Sequence, residues 1–152
     1  MAPEEVLQGM GIVLPDPPAP LATYVPAVRA GDLLFLSGIL PLREGKLAYE
    51  GKLGADVSVE EGYEAAKLTA ISALASIKKQ LGSLDQVVRV VRMCGHVASA
   101  PGFTQQPQVV NGASDFLVEV FGEVGRHARL ALGAAELPLN APIELELIVQ
   151  AK

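Results

Sequence analysis

The 152-residue sequence has no tryptophan, one cysteine and two histidines, and aromatic residues make up only 5% of it. A single cysteine, Cys94, excludes an internal disulfide, and His96 and His127 stand too far apart for zinc-ligand spacing, so no metal and no cofactor are expected. With few aromatics, the core must be built from Ala, Val, Leu and Ile, which pack in thin layers with close backbone approach. Basic residues are also scarce: Lys+Arg 12 against Asp+Glu 17 gives a net charge of -5 and a pI near 5.0. Proteins that bind phosphate backbones need clustered positive charge to displace counterions, so nucleic acid is not an expected partner. No basic residue precedes Arg29, against secretory and mitochondrial targeting patterns, and no apolar run approaches the ~18 residues of a membrane span. The expectation is a cytoplasmic protein with no membrane partner. What the chain does have is 50% hydrophobic residues, 19% charged residues and a mean hydropathy of +0.34, enough apolar surface to fold as one domain.

Along the chain, Pro15 to Pro20 read PDPPAP, whose rings fix φ and remove backbone donors. Residues 1–20 therefore read as an irregular N-terminal lead-in and residues 21–152 as a single domain. Tyr24 to Arg29 and Leu33 to Ser37 form a hairpin about Ala30-Gly31-Asp32, with Pro26 confining the first strand to an edge. Pro41 to Asp56 is a glycine-containing loop with a small hairpin around Glu44-Gly45. Ser58-Val59-Glu60-Glu61 is a capping box, and the apolar stripe Val59, Tyr63, Ala66, Ala70, Ala73, Leu74, Ile77, Leu81 continues the helix until Gly82. Asp85 to Ala98 is a valine-dense buried strand. Gln106 to Val124 is a second helix with Pro107 in its first turn, and Asn111-Gly112 in its middle needs a reason, either close packing or a functional Asn111. Arg129 to Leu137 and Ile143 to Val149 are joined through Pro138-Leu139-Asn140-Ala141-Pro142 as a closing hairpin. The order predicts an α+β layer structure with a mixed sheet and both helices on one face. The other sheet face is either solvated or buried against another subunit.

Few residues offer chemistry. Arg129 presents a planar fork that fits a carboxylate, or is a solvated strand-end arginine; Ala131 and Gly133 share its face and leave room for a ligand. Glu144 and Glu146 alternate with Ile143, Leu145 and Leu147, which fits a water-activating carboxylate or an ordinary polar strand face. Tyr24 and Asn111 are polar groups on apolar segments, suited to structural hydrogen bonds or to a ligand. Cys94 reads as a small buried hydrophobe, and His96 and His127 have no motif partner.

The run Ala128-Arg129-Leu130-Ala131-Leu132-Gly133, then Leu137-Pro138, then Ile143-Glu144-Leu145-Glu146, resembles the signature of the Rid (YjgF-type) enamine/imine deaminases, once described as L-PSP-type endoribonucleases. Tyr24-Val25, Leu36-Ser37-Gly38 with Pro41, and Asn111 fall in matching order. The resemblance implies a chorismate-mutase-like fold forming a homotrimer with clefts between subunits. In those clefts 2-imino or enamine acids would be hydrolysed to 2-oxo acids and ammonia. By that resemblance Arg129 clamps the substrate carboxylate, Glu144 positions the hydrolytic water, and Tyr24, Ser37, Gly38, Asn111 and Ala131 line the cleft. The best-known branch carries a cysteine where this chain has Ala131, so a thiol role is absent while a backbone N–H can remain. The loops at Pro41 to Asp56 and Ser99 to Pro107 are also longer than in that branch, which points to a side branch with its own pocket shape. A non-catalytic trimer binding small carboxylic acids or partner proteins is the alternative, and an endoribonuclease is a third, disfavoured by the charge of -5.

Overall fold

The computed structural model describes residues 1–17, 19 and 22–152. Its first element, α1 (Pro3–Gly9), corrects the expected irregular lead-in over residues 1–20. Pro3 stands at the start of this helix, Glu4 and Glu5 occupy its first turn, and the Ala2 N–H donates to Glu5 Oε2 at 3.1 Å. Seven residues are too few to hold a helix in isolation, so its formation depends on docking. Leu7 is buried in the core, while Glu4 accepts from Lys78 Nζ at 2.7 Å and from the Leu84 N–H at 3.2 Å. The Lys78 hydrogen bond holds the Glu4 carboxyl below its ordinary range. The extended reading of Pro15 to Pro20 falls partly on Pro18 and Pro20, which lie outside the described residues.

The expected first hairpin is present as β1 (Ala27–Ala30) and β2 (Leu33–Leu36), with Gly31 at φ 63 in the turn and β1 at the sheet edge, just after Pro26. The small hairpin forms too: β3 (Leu42–Arg43) and β4 (Lys46–Leu47) are joined through Glu44 at φ 53 and Gly45 at φ 79, the left-handed pair that a two-residue loop demands. Helix α2 runs Val59–Leu81 as predicted. Ser58 Oγ accepts from the Glu61 N–H at 3.1 Å, Glu61 Oε1 accepts from the Ser58 N–H at 3.1 Å, and Gly82 ends the helix at φ 84. Helix α3 spans Gln106–Phe121, shorter than expected because Gly122–Gly125 tightens into a 3-10 turn.

The remaining strands are β5 (Val87–Ala98), β6 (Ala128–Ala134) and β7 (Ile143–Ala151). Sheet order is β1-β2-β7-β5-β6; β5 and β6 are parallel and the other neighbours antiparallel. The expected closing hairpin is therefore wrong. β7 lies between β2 and β5, β6 pairs only with the far side of β5, and Arg129 and Glu144 are not on adjacent strands. The alternation in Ile143 to Val149 marks β7 as half-buried, but it carries no information about which strand lies beside it. β5 also departs from a uniformly buried strand: two register shifts place Val87, Val90, Met93, Gly95 and Val97 inward and leave Val88 exposed.

Helices α2 and α3 cover the face carrying Met93, Gly95 and Val97 from β5 and Ile143, Leu145, Leu147 and Val149 from β7. By register, Arg129 and Ala131 share that helix-covered face, while Glu144 and Glu146 stand on the opposite one with Cys94, His96, Leu130 and Leu132. Among the described residues no helix covers this second face, where Phe35, Leu130 and Leu132 are each 40% exposed or more.

Candidate functional site

Each sequence-predicted site residue falls into one of two separate groups. The first gathers around the end of β2. The Ile39 N–H donates to Leu145 O at 2.8 Å and the Leu145 N–H donates to Ile39 O at 3.0 Å, locking the Ser37-Gly38 segment beside the start of β7. Gly38 consequently faces the Glu144 carboxyl, and a Cβ built on it would collide with Glu144 Oε1 and lie 3.0 Å from Cδ. Ser37 is held by its own bonds, Oγ to Val25 O at 2.6 Å and N–H to Pro26 O at 2.9 Å. Tyr24, Ser37 and Gly38 also line a cavity with Ile39, Leu42 and Leu139 that reaches Ser72 and Ser76 of α2 and that Glu144 does not line. Partial burial pushes the Glu144 carboxyl above its ordinary range; His96 opposes that shift and Glu146 adds to it.

The second group is built on α3 and β6. Arg129 Nη1 donates to Asn111 Oδ1 at 2.7 Å and to Ser114 Oγ at 3.2 Å. Ser114 Oγ lies 2.9 Å from His127 Nε2, and His127 Nδ1 lies 2.7 Å from Gly125 O. A carbonyl only accepts, so Nδ1 carries the ring proton, Nε2 accepts from the Ser114 hydroxyl, and that hydroxyl's oxygen accepts from Arg129. Asn111 thus has a side-chain partner on β6, and close packing of Gly112 against the Tyr63 backbone supplies the reason for a glycine in mid-helix. Ser114 and His127 were not legible as site residues, since β6 and α3 meet only in the fold. Among the described residues Arg129 has no carboxylate partner and uses only Nη1, which leaves its other N–H groups available.

The pKa of His127 is lowered for a physical reason: burial disfavours the charged ring, the Gly125 carbonyl opposes this less, and Arg129 lowers it further. The folded chain therefore binds this proton less readily than the unfolded chain does. Its contribution to stability is complete above the ordinary histidine value of about 6.5 and declines as pH falls below it. Thermal melts between about pH 8 and pH 5 should show a fall in Tm that is shallower in His127→Gln. Equal slopes in both proteins would assign the pH dependence elsewhere.

The two groups do not meet within one chain. β6 is two strand spacings from β7, roughly 10 Å, and Arg129 aligns with Met93 whereas Glu144 aligns with His96, three residues or roughly 10 Å further along β5. They also project from opposite sheet faces. One group offers a cationic fork fixed by neutral hydrogen bonds, the other a carboxyl of raised proton affinity packed against Gly38.

The fold and the sequence that builds it have close counterparts. The family described as "YjgF/chorismate mutase-like, putative endoribonuclease" matches residues 4–150. The protein TCP17 of Trypanosoma cruzi is 45% identical over 145 residues, covering 95% of this chain and 91% of that protein. A crystal structure of a protein of unknown function from Agrobacterium tumefaciens aligns at a TM-score of 0.93 and 44% identity, over 99% of this chain and 92% of that one. The 3-aminoacrylate deaminase RutC of Acinetobacter baylyi is 56% identical over 34 residues, 22% of this chain and 27% of that enzyme. The chain belongs to the YjgF/chorismate mutase-like family, the Rid proteins that its C-terminal motif resembles. The match from residue 4 takes in α1, so this helix is part of the family's domain.

Proposed function

We propose that the protein hydrolyses reactive 2-imino or enamine acids to 2-oxo acids and ammonia, in clefts between the subunits of a homotrimer. The observation that carries this reading is Arg129: a half-buried guanidinium, oriented by Asn111 and Ser114, with no acid among the described residues paired to neutralise it. A fork held ready in this way suits the carboxylate of a small substrate. Glu144 cannot reach that substrate from the same chain, and a second copy supplying Tyr24, Ser37, Gly38 and Glu144 completes the cleft. The partly apolar face bearing Phe35, Leu130 and Leu132 suits burial in a closed threefold assembly. The match to RutC, a deaminase of 3-aminoacrylate, supports the reaction class.

In this reading an enamine substrate first tautomerises to the imine. Glu144 takes a proton from water as the oxygen bonds to the carbon of the protonated imine, whose C=N electron pair moves onto nitrogen to give a neutral carbinolamine. Glu144 returns that proton to the carbinolamine nitrogen and then takes the hydroxyl proton as the C–N bond breaks, releasing ammonia and leaving the 2-oxo acid. The Ala131 backbone, on the same face as Arg129, takes the place that the best-known branch gives to cysteine. No step uses a metal or an organic cofactor. The ribonuclease reading has to contend with a net charge of -5.

The test is a coupled assay in which an amino-acid oxidase generates 2-iminopropanoate and semicarbazide traps what remains. Faster loss of imine with the wild type than with buffer supports the proposal; no acceleration across small and bulky imino acids overturns it in favour of a carboxylate-binding module. Gly38→Ala supplies an independent check. Its methyl group displaces the flexible end of Glu144 without disturbing backbone, so Tm should hold while turnover falls about tenfold or more. Full turnover in Gly38→Ala would remove Glu144 from the mechanism.

A further inference from the structure

On the sheet face away from the helices, next to Glu144, three further side chains of different chemistry converge. Cys94 and His96 are two residues apart on β5 and so project to the same side, and Glu146 of β7 stands directly opposite Cys94 in the antiparallel register. Cys94 Sγ is 3.4 Å from His96 Nε2, and His96 Nε2 is 3.7 Å from Glu146 Oε1. One ligand atom from each of the three lies within 4.8 Å of the other two. We infer that Cys94, His96 and Glu146 form a binding site for a divalent cation of the zinc type.

The spacing carries the argument. Tetrahedral zinc with bonds of about 2.3 Å to sulfur and about 2.0–2.1 Å to nitrogen or oxygen sets neighbouring ligand atoms about 3.3–3.6 Å apart. The two measured separations fall at or just outside that range, so the side chains need move little to close on an ion. Thiolate, imidazole and carboxylate together select a borderline cation and disfavour magnesium or calcium, which take oxygen ligands. Thiolate and carboxylate supply two negative charges, which match a divalent ion, and binding releases the thiol proton. A hollow lined by Phe35, Arg92, Cys94, Glu146 and Ile148 lies beside the buried sulfur and leaves a fourth position for water or for a group of the neighbouring subunit. The expectation of no metal counted only the spacing of histidines and cysteine, and left out a carboxylate 50 residues beyond His96 that β7 delivers by pairing with β5. The inference does not rest on the deaminase reading.

The test is a Co2+ titration of the full-length chain after chelator treatment, followed by sulfur-to-cobalt charge-transfer absorption and by d–d bands that report coordination number. Because Cys94 is the sole cysteine, the charge-transfer band reports this site alone. The expected result is a band that saturates at one Co2+ per chain, is reversed by Zn2+, disappears in Cys94→Ser, and needs at least about tenfold more Co2+ in His96→Gln and in Glu146→Gln. Glu146 is well exposed, so its substitution keeps the fold intact even if Cys94→Ser does not, with far-UV circular dichroism as the check. No charge-transfer band near stoichiometric Co2+ overturns the inference. A band of unchanged affinity in both the histidine and the glutamate variants also overturns it, by reducing it to a lone thiol.

Discussion

Arg129→Ala protein should fold, assemble and melt close to the wild type, yet hydrolyse 2-iminopropanoate at least about a hundredfold more slowly. The fold tolerates the change because the guanidinium lies on an edge strand and its partners, Asn111 and Ser114, are reachable by water once it is gone. Turnover suffers because no other described cation is held at that position. Arg129→Lys should recover little, since an ammonium cannot offer two parallel N–H bonds while also satisfying Asn111. A composite cleft adds a sharper expectation. Arg129→Ala and Glu144→Gln, each nearly inactive alone, should regain activity when unfolded and reassembled together, because one neighbour keeps the fork and the other keeps the carboxyl. Random assembly of equal amounts gives an intact cleft at about one quarter of interfaces, and so about one quarter of wild-type turnover. Recovery of none would show that both groups act within one chain, and the geometry of the two half-sites would then have been misread.

The second large effect falls on stability. Gly112→Ala should lower it by about 3 kcal/mol, although alanine favours a helix over glycine by about 1 kcal/mol. Where α3 crosses α2, a Cβ at position 112 would land on the Tyr63 carbonyl oxygen, 2.8 Å from its carbon and 3.1 Å from Cα. These are backbone atoms, which cannot swing aside as a side chain does. The same crossing is pinned by the Tyr63 hydroxyl, which donates to Asp115 Oδ2 at 2.8 Å. Accommodating the methyl group must therefore part the helices, and a loss of that size lowers Tm by roughly 10 °C in a chain of this length. Asn111 and Ser114 ride on the same stretch of α3, so residual folded protein should also hold Arg129 poorly. A Tm within about 2 °C of wild type would mean that the helices separate at little cost.

The boundaries of α2 and the turns at Gly31 and Glu44-Gly45 are legible because their causes are local: a capping box, a glycine stop and residues that accept positive φ. α1 was missed because its seven residues form a helix only through the docking of Glu4 and Leu7 against distant parts of the chain. The pairing of β6 was misread for the same kind of reason. A strand's alternation declares that one face is buried but not which neighbour it takes, and the parallel partner of β6 lies across α3 in the chain.

The candidate site divides along the same line. Composition and motif determined the α+β class and the family resemblance and marked Arg129, Glu144, Asn111, Ser37 and Gly38 as candidates, because residue identity at each position is itself the signal. Only the tertiary structure decided that Arg129 and Glu144 lie on opposite sheet faces, that Ser114 and His127 support the arginine, and that Cys94, His96 and Glu146 come together. Register and strand order bring those groups together or hold them apart, and both arise from contacts between segments distant in sequence, which local periodicity does not encode.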